Sequence, residues 1–198
     1  SPVLRRDPTP LHSRESNPGT PPNVVATVGF GTMDIVVLGT GDAFSARNFG
    51  SSAVVIGPGG NVLIDAPDGI MRAFAHATAS SGIAVGPANI DDILLTHLHG
   101  DHANGLEAFG FLRWLECRRN GRALPRLHTT SQVAERLWQR LAPAMDQGGT
   151  ASLGDYYELR VLPKSSAANI AGLQVEHRMG RHTVPTCGFR ISAGTRTF

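Results

Sequence analysis

The sequence predicts a mixed α/β domain. Three observations carry that expectation: short apolar segments bounded by glycine turns before residue 95, amphipathic helical patterns after it, and a dense histidine cluster at the junction. The first segment, 34–38, runs into the turn Gly39-Thr40-Gly41-Asp42-Ala43. A dinucleotide-binding loop would need glycine at position 44, which is Phe44, and a helical pattern directly behind it; neither is present. Segments 51–56 and 61–65 flank Gly57-Pro58-Gly59-Gly60, which is strong turn chemistry and predicts a β-hairpin closed by Asp65. Ile93, Leu94 and Leu95 form a further apolar run that leads into the histidines. Beyond them, 104–119 places Leu106, Phe109, Leu112 and Leu115 at helical intervals, with Arg113, Arg118 and Arg119 on other faces. A second helix starts at Thr129, Thr130 or Ser131 and ends at Leu141, with Val133, Leu137 and Leu141 on one face and Pro143 beyond its end. Trp114 and Trp138 fall within these helices and are expected to pack. Segments 173–177 and 188–192 read as strands, with Cys187 a small buried residue at the start of the second and Cys117 a helix residue.

The cluster is Thr96-His97-Leu98-His99-Gly100-Asp101-His102. Imidazole nitrogen and carboxylate oxygen are ligands for zinc and similar ions, and crowding them is costly unless a cation compensates. Side chains alternate along an extended segment, so His97 and His99 project to the same side and grip one ion together. Gly100 lets the chain turn without a Cβ penalty, bringing Asp101 and His102 round to a second position. Ordinary hydrogen-bonded histidines explain a lone residue better than they explain four ligand types at this spacing.

His97, His99, Asp101 and His102 match the HxHxDH signature of metallo-β-lactamase-fold hydrolases. The string Leu95-Thr-His-Leu-His-Gly-Asp-His-Ala-Asn-Gly-Leu106 resembles their ribonuclease Z and phosphodiesterase branch. The resemblance implies an αβ/βα four-layer sandwich, of which residues 33–198 represent the N-terminal half to two-thirds. It also implies two zinc ions, with manganese or iron as alternatives, and a zinc-bound hydroxide as nucleophile. His182 is the expected further ligand, because it precedes Gly188-Phe189 by six residues as in the ribonuclease Z segment; His177 lacks that glycine. Asp65 is expected to support the site and Asp101 to orient water or accept its proton. No candidate for the family's bridging aspartate or last histidine lies between Gly105 and Phe198, so both are expected beyond Phe198, from a second chain, or missing from a degenerate site. The expected substrate is a phosphodiester, either a tRNA precursor or a small molecule. Thioester, lactone or β-lactam hydrolysis and a noncatalytic scaffold are the alternatives.

Composition fits one globular core: 198 residues, 41% hydrophobic and 17% charged. The net charge is only +2, and the arginines are scattered rather than massed, so charge alone does not identify a nucleic-acid protein. Two cysteines make no disulfide framework, which agrees with a cytoplasmic protein, and a homodimer is compatible. Residues 1–32 hold six of the thirteen prolines and read as a disordered or added leader ahead of Met33. No stretch reaches membrane-spanning length, and His12, His76 and His128 lack any ligand context.

Overall fold

The computed structural model describes residues 27–29, 33–164 and 166–198. Strands β1 (Thr27–Gly29), β2 (Asp34–Gly39), β3 (Ser52–Gly57) and β4 (Gly60–Ile64) pair antiparallel in sequence order. The β3–β4 hairpin closes at Gly57 opposite Gly60, as the turn residues predict. Residues 27–29, expected within the leader, instead belong to the sheet, because the extended β-branched pair Thr27-Val28 can satisfy its backbone on the edge of β2. The rest of that proposed leader, with His12, lies outside the described residues.

After β4, helix α1 (Ile70–Ser81) crosses the sheet and the chain returns as β5 (Ile90–Leu94), parallel to β4. A short helix, α2 (Gly100–Ala103), precedes α3 (Gly105–Asn120). Then β6 (Arg126–Thr129), α4 (Ser131–Met145) and β7 (Glu158–Val161) complete a seven-stranded sheet whose last four strands are parallel. Parallel strands need crossover helices, and α1, α3 and α4 supply them on one face. Their apolar stripes, including Phe74, Phe109 and Leu137, close over Val36, Val54, Leu63, Ile93 and Leu127.

Strands β8 (Ala168–Ile170), β9 (Leu173–Met179), β10 (Cys187–Ala193) and β11 (Arg196–Thr197) form a separate antiparallel sheet on the opposite face. Its Leu173, Val175 and Ile191 pack on Ile35, Val55, Val62 and Leu94. The second sheet therefore covers the apolar face that the helices leave open. The period-two alternation of β9 buries Leu173 and Val175 against the first sheet and leaves Gln174 and Glu176 exposed, so the outer face is polar. The described residues thus form three layers, helices, sheet and sheet, of the expected four. Among them no helix is long and apolar enough to cross a membrane.

Two helix readings change. In α3 the buried side is Leu106, Phe109, Gly110 and Arg113, whereas Leu112 and Leu115 are partly exposed at 39% and 38%. The guanidinium of Arg113 is buried because it donates to the carbonyls of Pro87, Ile90 and Ala123 and to Asp91. In α4 the helix continues past Pro143 to Met145, whose fully buried side chain anchors the last turn.

Candidate metal centre

The site lies where the antiparallel part of the first sheet meets its parallel part, at the carboxyl ends of β4 and β5. Asp65 follows β4 directly and takes a left-handed backbone with φ 55°, a conformation that aspartate tolerates better than most residues. Its N–H donates to Leu94 O at 2.9 Å, which ties the end of β4 to the end of β5. The carboxylate then reaches the loop after β5. Its Oδ1 accepts the Thr96 N–H at 2.8 Å, and Oδ2 accepts the Thr96 hydroxyl at 2.7 Å and lies 2.7 Å from His102 Nδ1.

His97, His99 and His182 offer one nitrogen each within 4.8 Å of one another. His97 comes from the loop after β5, His99 caps α2, and His182 descends from the β9–β10 connection. Their rings stand edge to face, at centroid separations of 4.8 Å for His97–His99, 4.9 Å for His97–His182 and 4.6 Å for His99–His182. His182 Nε2 is 3.1 Å from His99 Nδ1, and Thr183 Oγ1 is 3.4 Å from His99 Nε2. His97 Nδ1 sits 2.8 Å from Thr96 Oγ1, while its Nε2 is buried with no hydrogen-bond partner. A buried, unpartnered imidazole nitrogen beside two others fits a divalent cation, which would repay the desolvation that nothing else among the described residues offsets. Burial, followed by the neighbouring His102, His99 and His182, pushes the His97 pKa down to about 4, so the ring is neutral near pH 7.

Asp101 and His102 stand next to this triad, with Asp101 Oδ2 3.4 Å from His102 Nε2. The His97 and His102 rings are 4.1 Å apart. Burial opposes charge on His102, but the Asp65 hydrogen bond and the charges of Asp65 and Asp101 outweigh it and hold its pKa above the ordinary value. Burial raises the Asp65 pKa in spite of the lowering by His102 and Thr96.

Each sequence-predicted site residue therefore lies in one neighbourhood: His97, His99 and His182 as a triad, Asp101 and His102 as a pair, and Asp65 behind them. His177 sits in the β9–β10 ladder opposite Phe189, outside the triad. Cys187 is buried, and burial followed by the Asp65 charge raises its thiol pKa to about 12, so it is a packing group. His128 pairs with buried Asp92 at 2.7 Å, and His76 packs on Phe49.

The centre opens into a cleft of about 1090 Å³, lined by Phe44, Arg47 and Asn48 of the loop after β2 and by Arg72. Sequence reasoning assigned no site role to these cleft residues or to Thr96. Gly50 lets that loop approach the site, since a Cβ there would lie 2.5 Å from Pro67 Cβ and 2.9 Å from Asp101 O.

Comparison with known proteins agrees with this architecture. The Bacillus subtilis metallo-β-lactamase fold protein YhfI superposes with a TM-score of 0.64 at 14% identity, covering 83% of this chain and 61% of that one. The short form of human tRNase Z gives 0.56 at 19%, covering 82% and 66%. The fold is that of the metallo-β-lactamases, whose members normally bind metal ions. The anti-Pycsar protein Apyc1 of Paenibacillus sp. (strain J14) is 34% identical over 141 residues, 70% of this chain and 54% of its own length, so the chain spans about half the length of the curated relatives it matches. With the family model for anti-Pycsar protein Apyc1 matching residues 33–198, the stretch that carries these histidines, the chain belongs to the Apyc1 family.

Proposed function

We propose that this protein is a metal-dependent hydrolase acting on a small phosphodiester. The carrying observation is the convergence of His97, His99 and His182 on one point, with His97 Nε2 buried and unpartnered there. On this reading those three residues hold one divalent ion, and Asp101 and His102 contribute to a second, with zinc the first expectation at both. Bound ions of this kind lower the pKa of water from about 15.7 toward 7 and withdraw charge from phosphoryl oxygens. Asp101, beside His102, is placed to orient the attacking water and to take up its proton. Asp65 holds His102 through Nδ1, which leaves Nε2 free to act as a donor. Arg47 and Arg72 border the same cleft and offer cationic forks to a phosphodiester anion.

The small substrate is favoured over precursor tRNA because the cleft is of small-ligand size and the basic residues are scattered rather than forming a track. The full chain, loaded with zinc or manganese, is expected to retain the metal and to hydrolyse bis-p-nitrophenyl phosphate and cyclic mononucleotides faster than a thioester or a β-lactam. Cleavage of precursor tRNA alone would move the reading to an endonuclease. A folded chain that retains no ion would favour a scaffold instead.

A further inference from the structure

Thr96 is pinned on three sides. Its N–H donates to Asp65 Oδ1 at 2.8 Å, and its carbonyl accepts the Cys187 N–H at 3.1 Å. Its hydroxyl lies 2.7 Å from Asp65 Oδ2 and 2.8 Å from His97 Nδ1. A hydroxyl has one proton to donate and two lone pairs. A carboxylate oxygen only accepts, so the Thr96 proton points to Asp65, and toward His97 the same oxygen can only accept. Facing that acceptor at 2.8 Å, His97 Nδ1 must then carry a proton. Nε2 is left with its lone pair exposed, and this is the atom that is buried without a partner.

We propose that Thr96 is a positioning residue that relays Asp65 to His97 and locks that ring in its Nδ1–H tautomer. A single carboxylate thereby sets the donor atoms of two histidines: His102 by direct contact at 2.7 Å, and His97 through the hydroxyl. The role in metal capture rests on reading this cluster as a metal centre; the tautomer does not. Ligand imidazoles gain orientation and basicity when their second nitrogen is hydrogen-bonded, and losing such a partner weakens metal affinity by about 10–100-fold.

Long-range nitrogen–proton correlation spectra of the metal-free full chain report each histidine tautomer directly. In the wild-type chain and in Thr96→Ser, His97 is expected to carry its proton on Nδ1. In Thr96→Val, which keeps shape but removes the hydroxyl, His97 is expected to show mixed tautomers while His102 is unchanged, and Asp65→Asn is expected to disturb both. Competition with a chelator is expected to show zinc dissociation constants raised about 10–100-fold in Thr96→Val and restored in Thr96→Ser. An Nε2–H signal for wild-type His97 overturns the relay, as does wild-type zinc affinity in Thr96→Val. If the wild-type chain shows the Nδ1–H signal yet takes up no zinc, the metal reading fails and the relay stands. Should Thr96→Val not fold, the wild-type and Thr96→Ser spectra decide the tautomer alone.

Discussion

At the scale of single residues, the centre depends on which nitrogen atoms face the cleft. His97, His99 and His182 come together from two loops of different sheets, whereas His177 is held in a strand ladder opposite Phe189. Replacing His99 by alanine or Asp101 by asparagine is therefore expected to abolish turnover of bis-p-nitrophenyl phosphate and to lower bound metal. His177→Ala is expected to leave both largely intact. Metal stoichiometry and initial rates on the full chains check this, and equal loss in all three would reverse the choice of His182 over His177. The ligand-type residues of 97–102 were legible because covalent spacing alone crowds them together. His182 was legible only through its distance to Gly188. Thr96 carried no signal, since a threonine beside a histidine becomes meaningful only when Asp65, 31 residues earlier, is known to reach both.

At the scale of elements, α3 shows how a burial pattern departs from an apolar count. The sequence places Leu112 and Leu115 on the inner face, but the helix instead turns Arg113 inward, where its terminal nitrogens donate to the carbonyls of Pro87, Ile90 and Ala123. A buried charge with this many partners is expected to be costly to remove. Arg113→Met should lower unfolding free energy by about 3 kcal/mol in urea titrations, because it strands the carbonyls of Pro87, Ile90 and Ala123 without their donor, while Asp91 keeps Arg122. Helix α1 escaped the sequence reading because its buried face, Ile70, Ala73, Phe74 and Ala77, is half alanine and gives little contrast. Strands β5 and β6 are further linked by Asp92, which accepts from Arg126 Nε at 2.7 Å and lies 2.7 Å from His128 Nε2. Burial raises the Asp92 pKa, but the hydrogen bonds from Arg126 and His128 outweigh it and hold the folded value below the ordinary 3.8. The stability this carboxylate contributes is thus fully present above about pH 3.8 and is lost as pH falls through the folded value. Denaturant titrations from pH 7 downward are expected to show that acid-dependent loss in the wild-type chain and a smaller one in Asp92→Asn.

At the scale of the whole molecule, the hairpin, the apolar run of β5 and the segments 173–177 and 188–192 were readable from apolar runs and turn chemistry, whereas the short parallel strands β6 and β7 were not. The second sheet as an opposing layer was not, because its partner surface consists of residues as far back as Ile35 and Val55. That layer does more than cover apolar surface. The Cys187 N–H and thiol both donate to Thr96 O, at 3.1 Å and 3.6 Å, at the base of the histidine loop, and the connection just before Cys187 carries His182. The histidine triad is therefore assembled only while the two sheets remain docked. Heating the zinc-loaded full chain with a colorimetric chelator present should give one transition, in which dye colour and loss of circular dichroism rise together; a melt in which the dye fires many degrees earlier would show the pocket loosening on its own. Cargo release would then report tertiary integrity, making the bound ion an internal thermometer for the seam between the layers.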